Sequence, residues 1–190
     1  MTKEADQAIE VEKLTKRYGD FLAVNDISFN VRTGEVFAFL GPNGAGKTTT
    51  VEIIETIRTP TSGKVRLLGM DVTKKKRDIV PRIGVLPQGF SSFDRITVRE
   101  TIQYYSRLFC CRNIDVDGLI ALANLEAKSN EQFGNLSGGL KQRLGIAIAL
   151  VNDPEVVFLD EPTTGLDPRA RREVWEVLLG LKKKGKTVFL

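Results

Sequence analysis

Eight residues, Gly41 to Thr48, read GPNGAGKT and lie between an apolar run, Gly34 to Leu40 (GEVFAFL), and a stretch with helical spacing at Val51, Ile54 and Ile57. The pattern is GxxxxGK[ST], set in the order strand, loop, helix over Thr48 to Ile57. Gly41, Gly44 and Gly46 let successive backbone N–H groups turn inward and converge on an anion, and the positive end of the following helix adds to their partial charges. A nucleotide site is expected here. Lys47 would reach the β- and γ-phosphates and Thr48 would place its hydroxyl on Mg²⁺, with Gly41, Pro42, Asn43, Gly44, Ala45, Gly46 and Thr49 completing the cradle. A chance match in a chain of this length is on the order of one in a hundred at average glycine usage.

A second apolar run, Val156 to Leu159, ends in Asp160, Glu161 and Pro162. Ligands of an open parallel sheet gather at the carboxyl ends of its strands, so Asp160 and Glu161 should face the same crevice as the glycine-rich loop. Asp160 fits a Mg²⁺ partner, directly or through water. Glu161 is suited to orient and polarise an attacking water as a general base. Solvated acids at a strand end are common in isolation, and it is their pairing with a phosphate loop that makes them a site.

The remaining chemistry is narrowed by what the chain contains. There is no histidine among the 190 residues, which excludes histidine metal ligation and histidine acid–base catalysis. Cys110 and Cys111 are adjacent, a spacing that suits neither a disulfide framework nor a CxxC motif, and reduced thiols are expected. The net charge of +4 is spread along the chain, and the clusters Lys74 to Arg77 and Lys182 to Lys184 read as solvated helix faces, so no direct nucleic-acid binding is expected. The composition, 42% apolar and 27% charged, is that of a globular protein. No run is long enough to span a bilayer and the start, MTKEADQAIE, lacks a signal-peptide core, so a cytoplasmic location is expected.

Strand-like segments recur at Ile9 to Leu14, near Ala23 to Val31, and at Glu35 to Leu40, Lys64 to Leu68, Ile83 to Leu86, Val156 to Asp160 and Thr187 to Leu190. Helical stripes place Val98, Ile102, Tyr105 and Phe109 on one face, and Val174, Val177, Leu178 and Leu181 on another. The expected fold is α/β: a core with a parallel sheet, an N-terminal antiparallel β subdomain and an inserted α-helical subdomain. An ATP-binding core of about 1–88 and 152–190 would flank a helical part of about 89–151 within one domain.

LSGGLKQR, Leu136 to Arg143, precedes the helical run LGIAIALV, and Ser137 reads as an N-cap ahead of Gly138 and Gly139. This segment follows a phosphate loop and precedes an acidic strand, and the ordered set resembles the ATP-binding-cassette (ABC) ATPases over essentially the whole chain. The resemblance implies further roles. Tyr18, in LTKRYGD, matches the aromatic residue that stacks on adenine. Gln88, in VLPQGF, matches the loop glutamine that couples the Mg²⁺ site to the helical subdomain and the membrane partner. Asp167, in TTGLDP, matches the loop that contacts the opposite subunit. It also implies a head-to-tail dimer, expected as a homodimer, in which Ser137, Gly138 and Gly139 of one subunit close over the γ-phosphate held by Lys47 of the other. An integral membrane permease would sense the opening and closing through the Gln88 region. TVRETI and GLDPRARREVW look most like the ATPase subunits of drug, antibiotic or ion exporters.

Family members carry a histidine a few residues past the strand that TVFL represents, whereas this sequence ends at Leu190. A truncated domain that binds Mg-ATP and hydrolyses it poorly is the resulting expectation, with the TVFL strand central in the sheet. Leu140 stands where many members have a polar residue, a small departure because backbone N–H groups do the binding there. The alternative is a soluble cassette ATPase acting on ribosomes or DNA. Against it, the chain has one cassette, and only 90 positions separate Lys47 from Ser137, too few for a long coiled coil. A GTPase is disfavoured by the lack of an NKxD motif.

Overall fold

The structure is a computed structural model and describes residues 7–190. Residues 1–6, part of the stretch read as lacking a signal-peptide core, lie outside the described residues. The strands are β1 (Gln7–Tyr18), β2 (Phe21–Arg32), β3 (Val36–Phe37), β4 (Ser62–Leu67), β5 (Met70–Asp71), β6 (Ile83–Leu86), β7 (Val156–Leu159) and β8 (Thr187–Phe189). The helices are α1 (Lys47–Ile54), α2 (Lys76–Ile79), α3 (Val98–Leu108), α4 (Val116–Leu122), α5 (Gly138–Ala149) and α6 (Pro168–Lys183).

They form two four-stranded sheets. One is antiparallel with strand order β2-β1-β4-β5, and the other is parallel with order β3-β8-β7-β6. The mixed α/β class expected from the sequence is therefore present, and β8, the TVFL strand, lies between β3 and β7 as anticipated.

Parity along the parallel strands explains how the layers are glued. All four side chains of β7 are buried, because a sheet covered on both faces has no solvent side for polar residues. Val156 and Phe158 enter the core shared with the antiparallel sheet and with Ile53 and Ile54 of α1. Val157 and Leu159 point the other way, into the core beneath α5 and α6, with Val174, Val177, Leu178 and Leu181. On β8, Phe189 joins the first group and Val188 the second. Phe29 of β2 stacks on Phe37 of β3, with ring centroids 5.5 Å apart, and Phe189 leans on both, joining one sheet to the other. Burial of Phe158 and Phe189 contributes roughly 1.5–3 kcal/mol each.

A third core holds the helical segment together, with Val98 and Ile102 of α3, Ile120 of α4, and Leu144, Ala147 and Ile148 of α5. Each of these three helices starts on a side-chain cap. Thr97 and Glu100 form a capping box at α3, Asp115 caps α4, and Ser137 caps α5. Asp167 caps α6, accepting from Arg169 N and Ala170 N at 2.9 Å.

Three local expectations are corrected. The helix after the loop ends at Ile54 rather than reaching Ile57, because Thr56 takes a left-handed turn (φ 68°) that swings Ile57 to solvent. Phe109 closes α3 as its C-terminal cap and is 52% exposed, so the apolar stripe stops at Tyr105. Of the run from Glu35 to Leu40, the regular strand covers Val36 and Phe37 and its hydrogen bonds to β8 and Leu190 extend from Glu35 O to Phe39 N, so it is Leu40 that falls outside, exposed. The clusters Lys74 to Arg77 and Lys182 to Lys184 are exposed, as expected of solvated segments.

Candidate nucleotide site

The glycine-rich loop runs from the end of β3 into α1. Gly44 and Gly46 both have φ 82°, a left-handed conformation that suits glycine. At Gly46 space matters as well, since a Cβ there would lie 2.2 Å from Ala23 O. Gly46 is also the N-cap of α1 and offers no side chain, so the first-turn amides have no side-chain acceptor. In α3, α4, α5 and α6 a side-chain oxygen fills that role. The contrast leaves α1 with orphan donors and a positive end aimed out of the loop, which suits an anion. Lys47 Nζ folds back to donate to Gly41 O at 2.5 Å and Pro42 O at 3.0 Å. Those carbonyls hold the ammonium beside the loop, where an incoming phosphate can take it over. Thr48 is exposed and Thr49 half-buried in the first turn of the helix.

Asp160 follows β7, and its amide donates to Leu86 O at 3.0 Å, extending the ladder to the neighbouring strand. Glu161 comes next in a left-handed conformation (φ 46°), a strain of about 1–3 kcal/mol for a non-glycine residue. The turn carries its carboxylate to Gln88, whose Nε2 donates to Glu161 Oε2 at 3.3 Å. Two expected site residues from distant parts of the sequence thus meet at the carboxyl ends of adjacent parallel strands.

Glu55 was not anticipated as part of this region. It is buried just beyond the last turn of α1, and its carboxyl is pushed up to about 7, first by burial and then by the charges of Asp160 and Glu52. A carboxyl inside the apolar run VEIIETI was the available signal.

Among the described residues, no group of three or more His, Cys, Asp or Glu side chains is arranged to hold a metal. A Mg²⁺ ion at Thr48, Asp160 and Gln88 would need its remaining oxygens from phosphates and water, which is the habit of this ion. The donor set fits it on those terms.

The segment from Ser137 to Gly139 stands elsewhere. Ser137 Oγ accepts from Leu140 N at 3.4 Å, and a Cβ on Gly139 would come within 2.6 Å of Ala170 Cβ, so the α5 start packs closely against the first turn of α6. Asp167, the cap of α6, therefore lies on the same side of the molecule as the two glycines. Arg143 of α5 strengthens this seam, donating to Ala123 O and Asn124 O and pairing with Glu173 of α6 at 3.1 Å. No hydrogen bond or ion pair among the described residues joins Ser137, Gly138 or Gly139 to the phosphate loop. Tyr18 ends β1, 40% exposed, beside Lys16 and Arg58.

An uncapped helix behind a glycine loop, with two acidic groups at the carboxyl end of a parallel strand, defines a P-loop nucleotide-binding protein. The family model described as ABC transporter matches residues 24–164, and the chain belongs to that family as an ATP-binding cassette. It is 46% identical over 191 residues to the Nod factor export ATP-binding protein I of Paraburkholderia xenovorans (strain LB400), covering 97% of this chain and 62% of that relative. The chain thus spans less than two thirds of that protein's length. Among solved structures, a component of an ABC transporter complex from Clostridium perfringens superimposes with a TM-score of 0.83 at 29% identity, over 97% of this chain and 77% of that one. A dimeric ATP-binding cassette bound to ADP and Pi gives 0.78 at 28% identity, over 95% and 86%.

Proposed function

We propose that this chain is the ATP-binding and ATP-hydrolysing part of an ABC exporter, a peripheral subunit on the inner face of the membrane that drives a separate permease. The observation that carries the reading is the meeting of Gln88 with Glu161 beside Asp160, within the same sheet that holds the phosphate loop. Relatives named for export support the direction of transport. No helix among the described residues is long and apolar enough to cross a membrane, which fits a cassette that borrows its membrane path from a partner.

In this reading Gly41, Pro42, Asn43, Gly44, Ala45, Gly46, Lys47, Thr48 and Thr49 hold the phosphates, and Tyr18 stacks on adenine. Thr48, Asp160 and Gln88 would hold Mg²⁺, which supplies charge neutralisation at the phosphate oxygens. Glu161 accepts a proton from the attacking water, and the Gln88 amide fixes the carboxylate that does so. Lys47 balances negative charge that develops on the transferred group. A second copy, docked head to tail, contributes Ser137, Gly138, Gly139 and Asp167. The seam between α5 and α6 supports this, because it gathers those residues at the paired starts of the two helices, with no hydrogen bond or ion pair to the chain's own loop among the described residues. The core of about 1–88 and 152–190 and the helical part of about 89–151 would then move as two bodies around Gln88.

Mg-ATP titration of the wild type and of Glu161→Gln, with the dimer fraction followed by light scattering, tests the reading. Nucleotide binding with dimer accumulation in Glu161→Gln supports it, and no nucleotide uptake by folded protein refutes it. Co-purification with an integral membrane protein, rather than with ribosomes, is the expected partner result.

A further inference from the structure

Two cations lie over the ring of Tyr18: Lys16 Nζ is 5.0 Å from its centroid and Arg58 Cζ is 5.7 Å. Both are anchored. Lys16 Nζ donates to Thr59 O at 2.8 Å, in the turn after α1. Arg58 forks onto Glu52, donating from Nε to Oε2 and from Nη2 to Oε1. Glu52 belongs to α1, the helix that begins at Lys47. A strut therefore runs from the last residue of β1, through one guanidinium, to the helix of the phosphate loop.

The strut adds a polar, directional tie between parts that otherwise meet through the shared apolar core. Tyr18 ends a strand of the antiparallel sheet, whereas the loop hangs from the parallel one. A ring that is 40% exposed at a strand end has rotamer freedom that must be lost when a base stacks on it. A guanidinium beside the ring face, itself held in a two-point contact, removes much of that freedom in advance. Lysine lacks this two-point geometry, and Lys16 grips the turn rather than α1.

We propose that Arg58 is a positioning residue for adenine: tethered by Glu52, it fixes the Tyr18 ring relative to α1, the helix that begins at Lys47. The inference rests on the proposed roles of Tyr18 and Lys47, and it assigns a function to two residues outside the motifs that suggested them.

The test is equilibrium titration of the wild type, Arg58→Ala, Arg58→Lys, Tyr18→Ala and the Arg58→Ala, Tyr18→Ala double variant. Each is titrated with Mg-ATP and with magnesium tripolyphosphate, which carries the phosphates without a base. Arg58→Ala should weaken Mg-ATP about fivefold, leave tripolyphosphate unchanged, and add nothing in the Tyr18→Ala background. Arg58→Lys should recover part of the loss. The inference is overturned if Arg58→Ala binds Mg-ATP like the wild type while Tyr18→Ala is weakened. Equal weakening of both ligands, or additive losses in the double variant, overturns it too. If Tyr18→Ala leaves Mg-ATP affinity intact, the adenine platform itself is lost, a distinct result that removes the premise.

Discussion

Gln88 donates from Nε2 to Glu161 Oε2 across 3.3 Å, although 73 residues separate them. Register explains the meeting. Leu86 pairs with Leu159 on adjacent parallel strands, and Gln88 and Glu161 each follow two residues later, so both emerge at the same end of the sheet. With Glu161 as the general base, Glu161→Gln should lower ATP turnover by about a hundredfold or more while retaining Mg-ATP binding. Gln88→Ala frees the carboxylate without removing it and should slow turnover less. Phosphate release at saturating Mg-ATP, followed until the slow wild-type rate is resolved from background, separates the two, and equal resolved rates for Glu161→Gln and wild type would exclude the role.

Lys47 donates from Nζ to two loop carbonyls, Gly41 O and Pro42 O. Lys47→Ala removes a charge-assisted contact and leaves the loop without its internal tie, so Mg-ATP affinity should fall by about 10- to 100-fold. Calorimetric titration beside a thermal unfolding control checks this. The expected pattern is a large loss of affinity with a small change in melting temperature.

Glu55 makes stability depend on pH. Its carboxyl lies at about 7 in the folded protein against an ordinary value of 4.5, so between those values the folded state holds a proton that the unfolded state has released. Its contribution is fully present below the unfolded value and is lost as pH rises through the folded one. The loss is on the order of 3 kcal/mol. Glu55→Gln, which carries no titrating charge, should flatten this decline and be the more stable protein at alkaline pH. Because the Asp160 charge is part of the cause, Asp160→Asn should flatten it partly. Urea denaturation from about pH 4.5 to about pH 8 reads both.

Thr56 is β-branched, buried and left-handed, and its hydroxyl has no hydrogen-bond partner among the described residues. Each property disfavours threonine where glycine would be at ease. Thr56→Gly should therefore stabilise the fold by about 1 kcal/mol, seen as a higher urea midpoint with an unchanged slope. A lower midpoint would mean that the threonine methyl packs better than its backbone strain costs.

The phosphate loop, the acidic end of β7, the start of α5 and the α/β class were legible along the chain because each is a local code. Glycine, lysine and threonine at fixed spacing mean an anion cradle wherever a strand feeds a helix, and VVFL followed by two acids has one natural place in a covered parallel sheet. Tertiary structure alone decided which of these groups meet. Strand register joined Gln88 to Glu161, and burial beside Asp160 changed the character of Glu55. The turn after α1 delivered Arg58 to Tyr18, and the same turn ended the helix before Ile57, against the apolar spacing. Such outcomes depend on distance and dielectric between residues far apart in sequence, and neither quantity is written in local composition.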